Sequence, residues 1–200
     1  MGGRTLDFHC ALCGRYNLAN VLCAATAAQA LGVNSEAILS AIAEARPHWG
    51  RLEQVAPRVF VDYAHTDDAL ANVLSTLREI TPGRLICVFG CGGDRDRAKR
   101  PTMGAAVERV ADLPIVTSDN PRTEEPAAII AEILPGFSVH MPVVEPERLE
   151  AIRRALALQG PADTVLIAGK GHETYQEIRG VKHPFSDAEA VRRCLAEAIR

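Results

Sequence analysis

From Val59 to the C-terminus, short runs of consecutive apolar residues alternate with longer segments whose apolar residues recur every three or four positions. The runs at 59–63, 84–89, 113–116, 137–143 and 164–168 predict strands. Residues 67–80, 101–110, 126–134, 146–158 and 187–199 predict helices. Uninterrupted apolar strands suit a parallel sheet covered on both faces. Residues 51–200 are therefore expected to form an α/β domain, a doubly wound, mostly parallel, Rossmann-like sheet. A hairpin is expected over 174–183, and Ser186 is placed to cap the last helix.

Residues 1–50 read differently. Residues 17–31 predict a buried, Ala-rich helix closed by Gly32, and Ser35 is expected to cap a second helix over 36–45. Pro47 and Gly50 break it. This helical pair has no sheet of its own to cover, so a boundary is expected near residue 50.

The charged fraction is 24% and the net charge −3, which gives no basic surplus for nucleic acid. No apolar run reaches the roughly 18 residues of a membrane span, and Met1-Gly2-Gly3-Arg4 lacks the apolar stretch of a signal peptide. The expected compartment is the cytoplasm. Six cysteines are present. Cys10 and Cys13 form a C-x-x-C with no second ligand pair, so reduced thiols and no metal site are expected. Cys23, Cys87 and Cys194 sit in apolar patterns and read as core residues.

Four polar clusters fall where predicted strands end, at 62–68, 90–97, 118–125 and 169–173. The C-terminal ends of parallel strands share one edge, where ligands of such sheets bind. Residues 118–125 offer Asp119 and Arg122 within one turn, a pairing suited to a zwitterion; the same stretch also reads as a loop with Thr123 capping the next helix. Residues 90–97 begin with three glycines in four positions, which let backbone N–H groups approach an anion, and add Arg95 and Arg97 as forks for carboxylate or phosphate. A flexible turn with solvated arginines is the alternative. In Gly169-Lys170-Gly171-His172-Glu173, Lys170 suits an anion and Glu173 an ammonium, while His172 reads equally well as structural. Tyr63 and His65 offer an aromatic ring and an imidazole to a nucleobase and ribose. No G-x-x-x-x-G-K-[ST] loop occurs anywhere in the chain.

Together these clusters resemble the Mur ligase family. The residues that carry the resemblance are Gly14 to Asn20, Gly50-Arg51-Leu52-Glu53, Asp62 to Thr66, Gly92 to Arg100, Asp119 to Arg122 and Gly169 to Glu173, in family order and with family-like spacing. The D-N-P-R tetrapeptide followed by G-K-G-H-E resembles the branch that uses meso-diaminopimelate. Asp67 stands where the family motif has proline, and Trp49 precedes Gly50-Arg51 where the family has proline.

The resemblance implies an ATP-dependent, Mg2+-assisted ligase of peptidoglycan synthesis that joins meso-diaminopimelate to a UDP-muramoyl dipeptide. By motif it implies a diaminopimelate pocket of Arg95, Asp119, Asn120, Pro121, Arg122, Gly169 and Glu173, with Tyr63 and His65 toward the nucleotide. It singles out no catalytic residue. It implies that residues 1–50 are the helical tail of the family's central ATPase domain and 51–200 its C-terminal domain. ATP and Mg2+ would then be held mainly by a central domain outside these residues, with a separate chain carrying the N-terminal and central domains as the expected partner, and the portion alone is expected to be inactive. A stand-alone, non-catalytic module for a diamino acid or nucleotide is the other reading.

Overall fold

The computed structural model describes residues 7–12 and 14–198. Cys13, Ile199 and the side chains of Arg15 and Tyr16, on which parts of the expectations above fall, lie outside the description. The chain divides into two compact units, the first ending at His48 and the second starting at Trp49.

The first unit holds α1 (Arg15–Ala30) and α2 (Ser35–Glu44). Gly32, at φ +85°, ends α1: its N–H donates to Gln29 O and that of Val33 to Ala28 O, the paired bonds of a Schellman turn. The cap of α2 is Asn34, not Ser35, because the Asn34 side chain accepts from Ala37 N at 2.8 Å. The Ala-rich helix is not buried within this unit. Of its described side chains only Val21 is buried, and Cys23 is exposed rather than a core residue. The small alanines of α1 and the Ile38–Ile42 side of α2 leave an open apolar groove between the two helices.

The second unit is built on a six-stranded sheet in the order β1 (Glu53–Ala56), β2 (Val59–Asp62), β6 (Thr164–Ala168), β3 (Leu85–Phe89), β4 (Leu113–Val116), β5 (Val143–Val144). All neighbours are parallel except β1, which pairs antiparallel with β2. Around it lie α3 (Asp67–Ile80), α4 (Lys99–Glu108), α5 (Pro126–Ile133), α6 (Arg148–Leu158) and α7 (Asp187–Ala198). Strand side chains alternate between faces. Val61, Val88, Ile115 and Ile167 pack on α6 and α7 through Ile152 and Val191. The opposite face is covered by α3, whose Leu70, Val73, Leu74 and Leu77 are buried, and by α4 and α5. A separate hairpin, β7 (Tyr175–Ile178) with β8 (Val181–Pro184), follows β6.

Two expectations fail here. Residues 137–143 do not form the expected strand; only Val143 enters one, the two-residue β5. Phe137 closes a 3-10 turn, and the Glu108 carboxylate accepts from the N–H groups of Ser138, Val139 and His140, which removes them from any ladder. Glu108 is held down to about 2 by those N–H donors, led by Val139. The edge strand β1 has no counterpart in the sequence reading. Among the described residues no helix is long and apolar enough to cross a membrane.

One buried ion pair joins the layers. Arg148 Nε and Nη2 each donate to Asp187 at 2.8 Å, both side chains at 0% exposure, and the guanidinium also donates to the carbonyls of Ser118 (3.3 Å) and Ala168 (3.0 Å). Asp187→Ala would strand that charge, and unfolding in urea is expected to show a loss of about 3–5 kcal/mol. A double change of Arg148 and Asp187 to apolar residues should destabilise less than Asp187→Ala alone.

Candidate functional site

Because β2, β3, β4 and β6 run parallel, their C-terminal ends meet at one edge, with the ladder continuing through Gly169 N to Asp62 O and Thr117 N to Phe89 O. A cleft of about 310 Å³ opens there. Tyr63, His65, Arg95, Asp119, Asn120, Arg122, Gly169 and Glu173 all line it, and Pro121 does not. The Pro121 carbonyl instead lies against the glycine loop: a Cβ on Gly93 would come within 1.9 Å of it, and Gly93 N donates to Asn120 O at 2.9 Å. Gly90 and Gly93 thus serve close backbone contact between the ends of β3 and β4, while Gly90 and Gly92 also line the cleft.

The arginines of this loop separate. Arg95 is exposed and faces the cleft, whereas Arg97 pairs with Glu132 and does not line it. Arg100, missed in the sequence reading, is buried against Glu124 and Glu132, each at 2.7 Å. Thr123 is not a helix cap; its hydroxyl donates to Asp94 at 2.6 Å, and α5 starts at Pro126 without a side-chain cap.

Arg122 sits in a left-handed conformation, φ +52°, uncommon for a residue with a Cβ. The hairpin fixes it. Arg122 N donates to Glu177 O at 3.0 Å, and Arg179 N donates to Arg122 O at 2.6 Å. Its Nη1 donates to Gly93 O at 2.7 Å, and Nε lies 3.6 Å from the Glu177 carboxylate. Gln176 adds a bond from its side chain to Asp119 O at 2.7 Å. The hairpin residues Gln176 and Glu177 therefore shape the site although no motif marked them.

Asn120 donates to Glu173 at 2.8 Å and accepts from Glu177 N at 2.9 Å. Lys170 points inward to Asn120, Glu173 and Asp119, contrary to the expectation that it offers itself to an anion. Glu173 makes both contacts through Oε2 and Asp119 meets Lys170 through Oδ1, so Oε1 and Oδ2 have no hydrogen-bond partner among the described residues.

At the other end of the cleft, the Tyr63 ring lies between Arg51 (4.9 Å), His65 (4.6 Å) and the exposed His172 (5.0 Å). His65 Nδ1 is 2.7 Å from the Tyr63 carbonyl; a carbonyl only accepts, so Nδ1 carries the proton. Asp62 accepts from Leu52 N and Ala64 N, both at 2.7 Å, while burial raises its carboxyl above the ordinary range. Cys91 also lines the cleft, but burial, with Asp119 nearby, pushes its thiol up to about 12, so it is no nucleophile at neutral pH. Among the described residues no three His, Cys, Asp or Glu come together to hold a metal ion.

A cleft at parallel strand ends, lined by carboxylates and guanidinium groups from three loops, is the place where α/β domains of this class bind small charged molecules. The family described as Mur ligase, glutamate ligase domain, matches residues 50–171. The UDP-N-acetylmuramoyl-L-alanyl-D-glutamate--2,6-diaminopimelate ligase of Chromobacterium violaceum is 48% identical over 197 residues, covering 96% of this chain and 40% of that protein. The ligase of the same name from Pseudomonas aeruginosa is 51% identical over 190 residues, covering 92% and 39%. A solved structure of a ligase of that name superposes with a TM-score of 0.76 at 40% identity, over 98% of this chain and 41% of the other. The chain belongs to the Mur ligase family. It spans about two fifths of the length of these relatives.

The Arg100 guanidinium, with Asp94 N–H, holds Glu124 below its ordinary 4.5, down to about 2. The folded value lies below the unfolded one, so this contribution is complete above about 4.5 and fades as pH falls through about 2. Glu124→Gln should destabilise the chain at neutral pH, and the gap from the unaltered chain should close across that window in urea unfolding.

Proposed function

We propose that this chain is the amino-acid-binding portion of an ATP-dependent ligase that joins meso-diaminopimelate to a UDP-muramoyl dipeptide in peptidoglycan synthesis. Residues 51–200 are its C-terminal domain, and residues 1–50 the helical tail of its central ATPase domain. The observation that carries the reading is one cleft lined by a guanidinium, Arg122, and two carboxylates, Asp119 and Glu173, each with an oxygen to spare. The names of the relatives support the choice of substrate.

Meso-diaminopimelate carries an ammonium and a carboxylate at each end. Arg122 and Arg95 bind one carboxylate, and Asp119 with Glu173 takes the ammonium beside it. Asn120 and Gly169 complete that wall, and Pro121 sets its backbone. The other amino group is left free to attack the dipeptide. ATP, a substrate of that reaction, supplies the phosphoryl group that activates the dipeptide's carboxylate, with Tyr63 and His65 toward the nucleotide. Mg2+ spreads the phosphate charge, and no residue of this chain is assigned to it. The work of this portion is to hold and orient the attacking amino acid.

1,5-Diaminopentane lacks both carboxylates and would leave a guanidinium without its partner, a loss of about 1–3 kcal/mol. Calorimetric titration of the chain should show saturable binding of meso-diaminopimelate and at least about tenfold weaker binding of 1,5-diaminopentane. Arg122→Asn, a side chain that tolerates positive φ, should abolish the preference. Equal affinity for both ligands, or a preference that survives Arg122→Asn, contradicts the assignment.

A further inference from the structure

Lys170 is wholly buried, at 0% exposure, immediately behind the cleft. An ammonium has three N–H donors and no acceptor. Three oxygens surround its Nζ: Asn120 Oδ1 at 2.8 Å, Glu173 Oε2 at 3.1 Å and Asp119 Oδ1 at 3.4 Å. The Tyr175 ring lies 5.8 Å from Nζ. All three donors are therefore used within the protein. Asp119, Asn120 and Glu173 line the cleft and Lys170 does not. It acts on a ligand only through the residues in front of it.

Asp119 and Glu173 together carry −2, and Lys170 brings that wall to −1. The other charged groups lining the cleft are Arg95, Asp96, Lys99, Arg100 and Arg122; Arg100 is paired with Glu124 and Glu132, and Glu177 lies 3.6 Å from Arg122 Nε. A wall of −1 in a cleft that also carries guanidinium groups is complementary to one ammonium beside one carboxylate. Without Lys170, two close carboxylates would repel the ligand's carboxylate and draw in a second cation or Arg122 itself.

We infer that Lys170 is a positioning residue that holds Asp119, Asn120 and Glu173 in register and leaves their wall a single negative charge, so that the cleft selects a zwitterionic amino-acid end over a bare ammonium. This inference rests on the reading of the cleft as a diamino-acid site. It separates Lys170 from a purely structural lysine, because a structural role predicts a change in stability and no change in ligand preference.

The test compares meso-diaminopimelate with 1,5-diaminopentane, the same carbon chain without its carboxylates, by calorimetric titration of the unaltered chain, Lys170→Met and the double variant Lys170→Met/Glu173→Gln. A thermal melt of each reports folding. The unaltered chain should prefer meso-diaminopimelate. Lys170→Met should lower that preference by about tenfold or more, and the double variant, whose wall is again −1, should recover part of it. An unchanged preference in Lys170→Met, or a double variant no better than it, overturns the inference while leaving the site reading intact. If Lys170→Met does not fold, the double variant decides: folded with the preference kept, it supports the charge role; equally unfolded, it assigns Lys170 to packing alone. If the unaltered chain binds neither ligand, the site reading fails and takes the inference with it.

Discussion

A guanidinium sealed from solvent ties together pieces of backbone that come from distant parts of the chain. Arg148, at the start of α6, grips Asp187 at the start of α7 and donates to the carbonyls of Ser118 and Ala168. Those two residues immediately precede Asp119 and Gly169. The ends of β4 and β6 are thus held in fixed register where the cleft begins. Burying an ion pair is not by itself stabilising, since desolvation offsets most of the attraction. What the pair provides is geometry: its remaining donors have only these carbonyls to meet, so any slip of β4 against β6 leaves a buried charge unsatisfied.

A second buried cation stands on that base. Lys170 follows Gly169 and reaches across to Asn120 and Asp119, so its position depends on the register that Arg148 sets. The hairpin of β7 and β8 then bonds to both sides of Arg122 and sustains a left-handed backbone that costs about 1–2 kcal/mol for a residue with a Cβ. Such strain persists where surrounding structure over-determines it, commonly at binding sites. The guanidinium is aimed by Gly93 O on one side and Glu177 on the other.

Much of this was readable from residues alone. The bounds of α3, β4 and β6 match the sequence reading, because Thr66 caps α3 with its side chain and unbroken apolar runs define the strands. The convergence of four polar clusters followed from parallel strands sharing an edge. Local pattern failed where distant groups decided the outcome. Residues 137–143 look like one strand until Glu108 takes the N–H groups of 138–140 and leaves only Val143 to β5. Lys170 between two glycines looks exposed until three acceptors from two segments enclose it. Thr123 looks like a cap until Asp94 occupies its hydroxyl. Gln176 and Glu177 carry no motif; their importance comes from the hairpin folding back on residues 119–122.

The most direct test of the central claim, that these strand ends form one site for a zwitterion, is a crystal structure of the chain soaked with meso-diaminopimelate. The account predicts one carboxylate of the ligand within hydrogen-bond distance of Arg122, the adjacent ammonium on Asp119 and Glu173, and Lys170 still turned inward. Ligand density elsewhere on the chain, or a ligand in the cleft with its carboxylate toward Asp119 and Glu173, would contradict it.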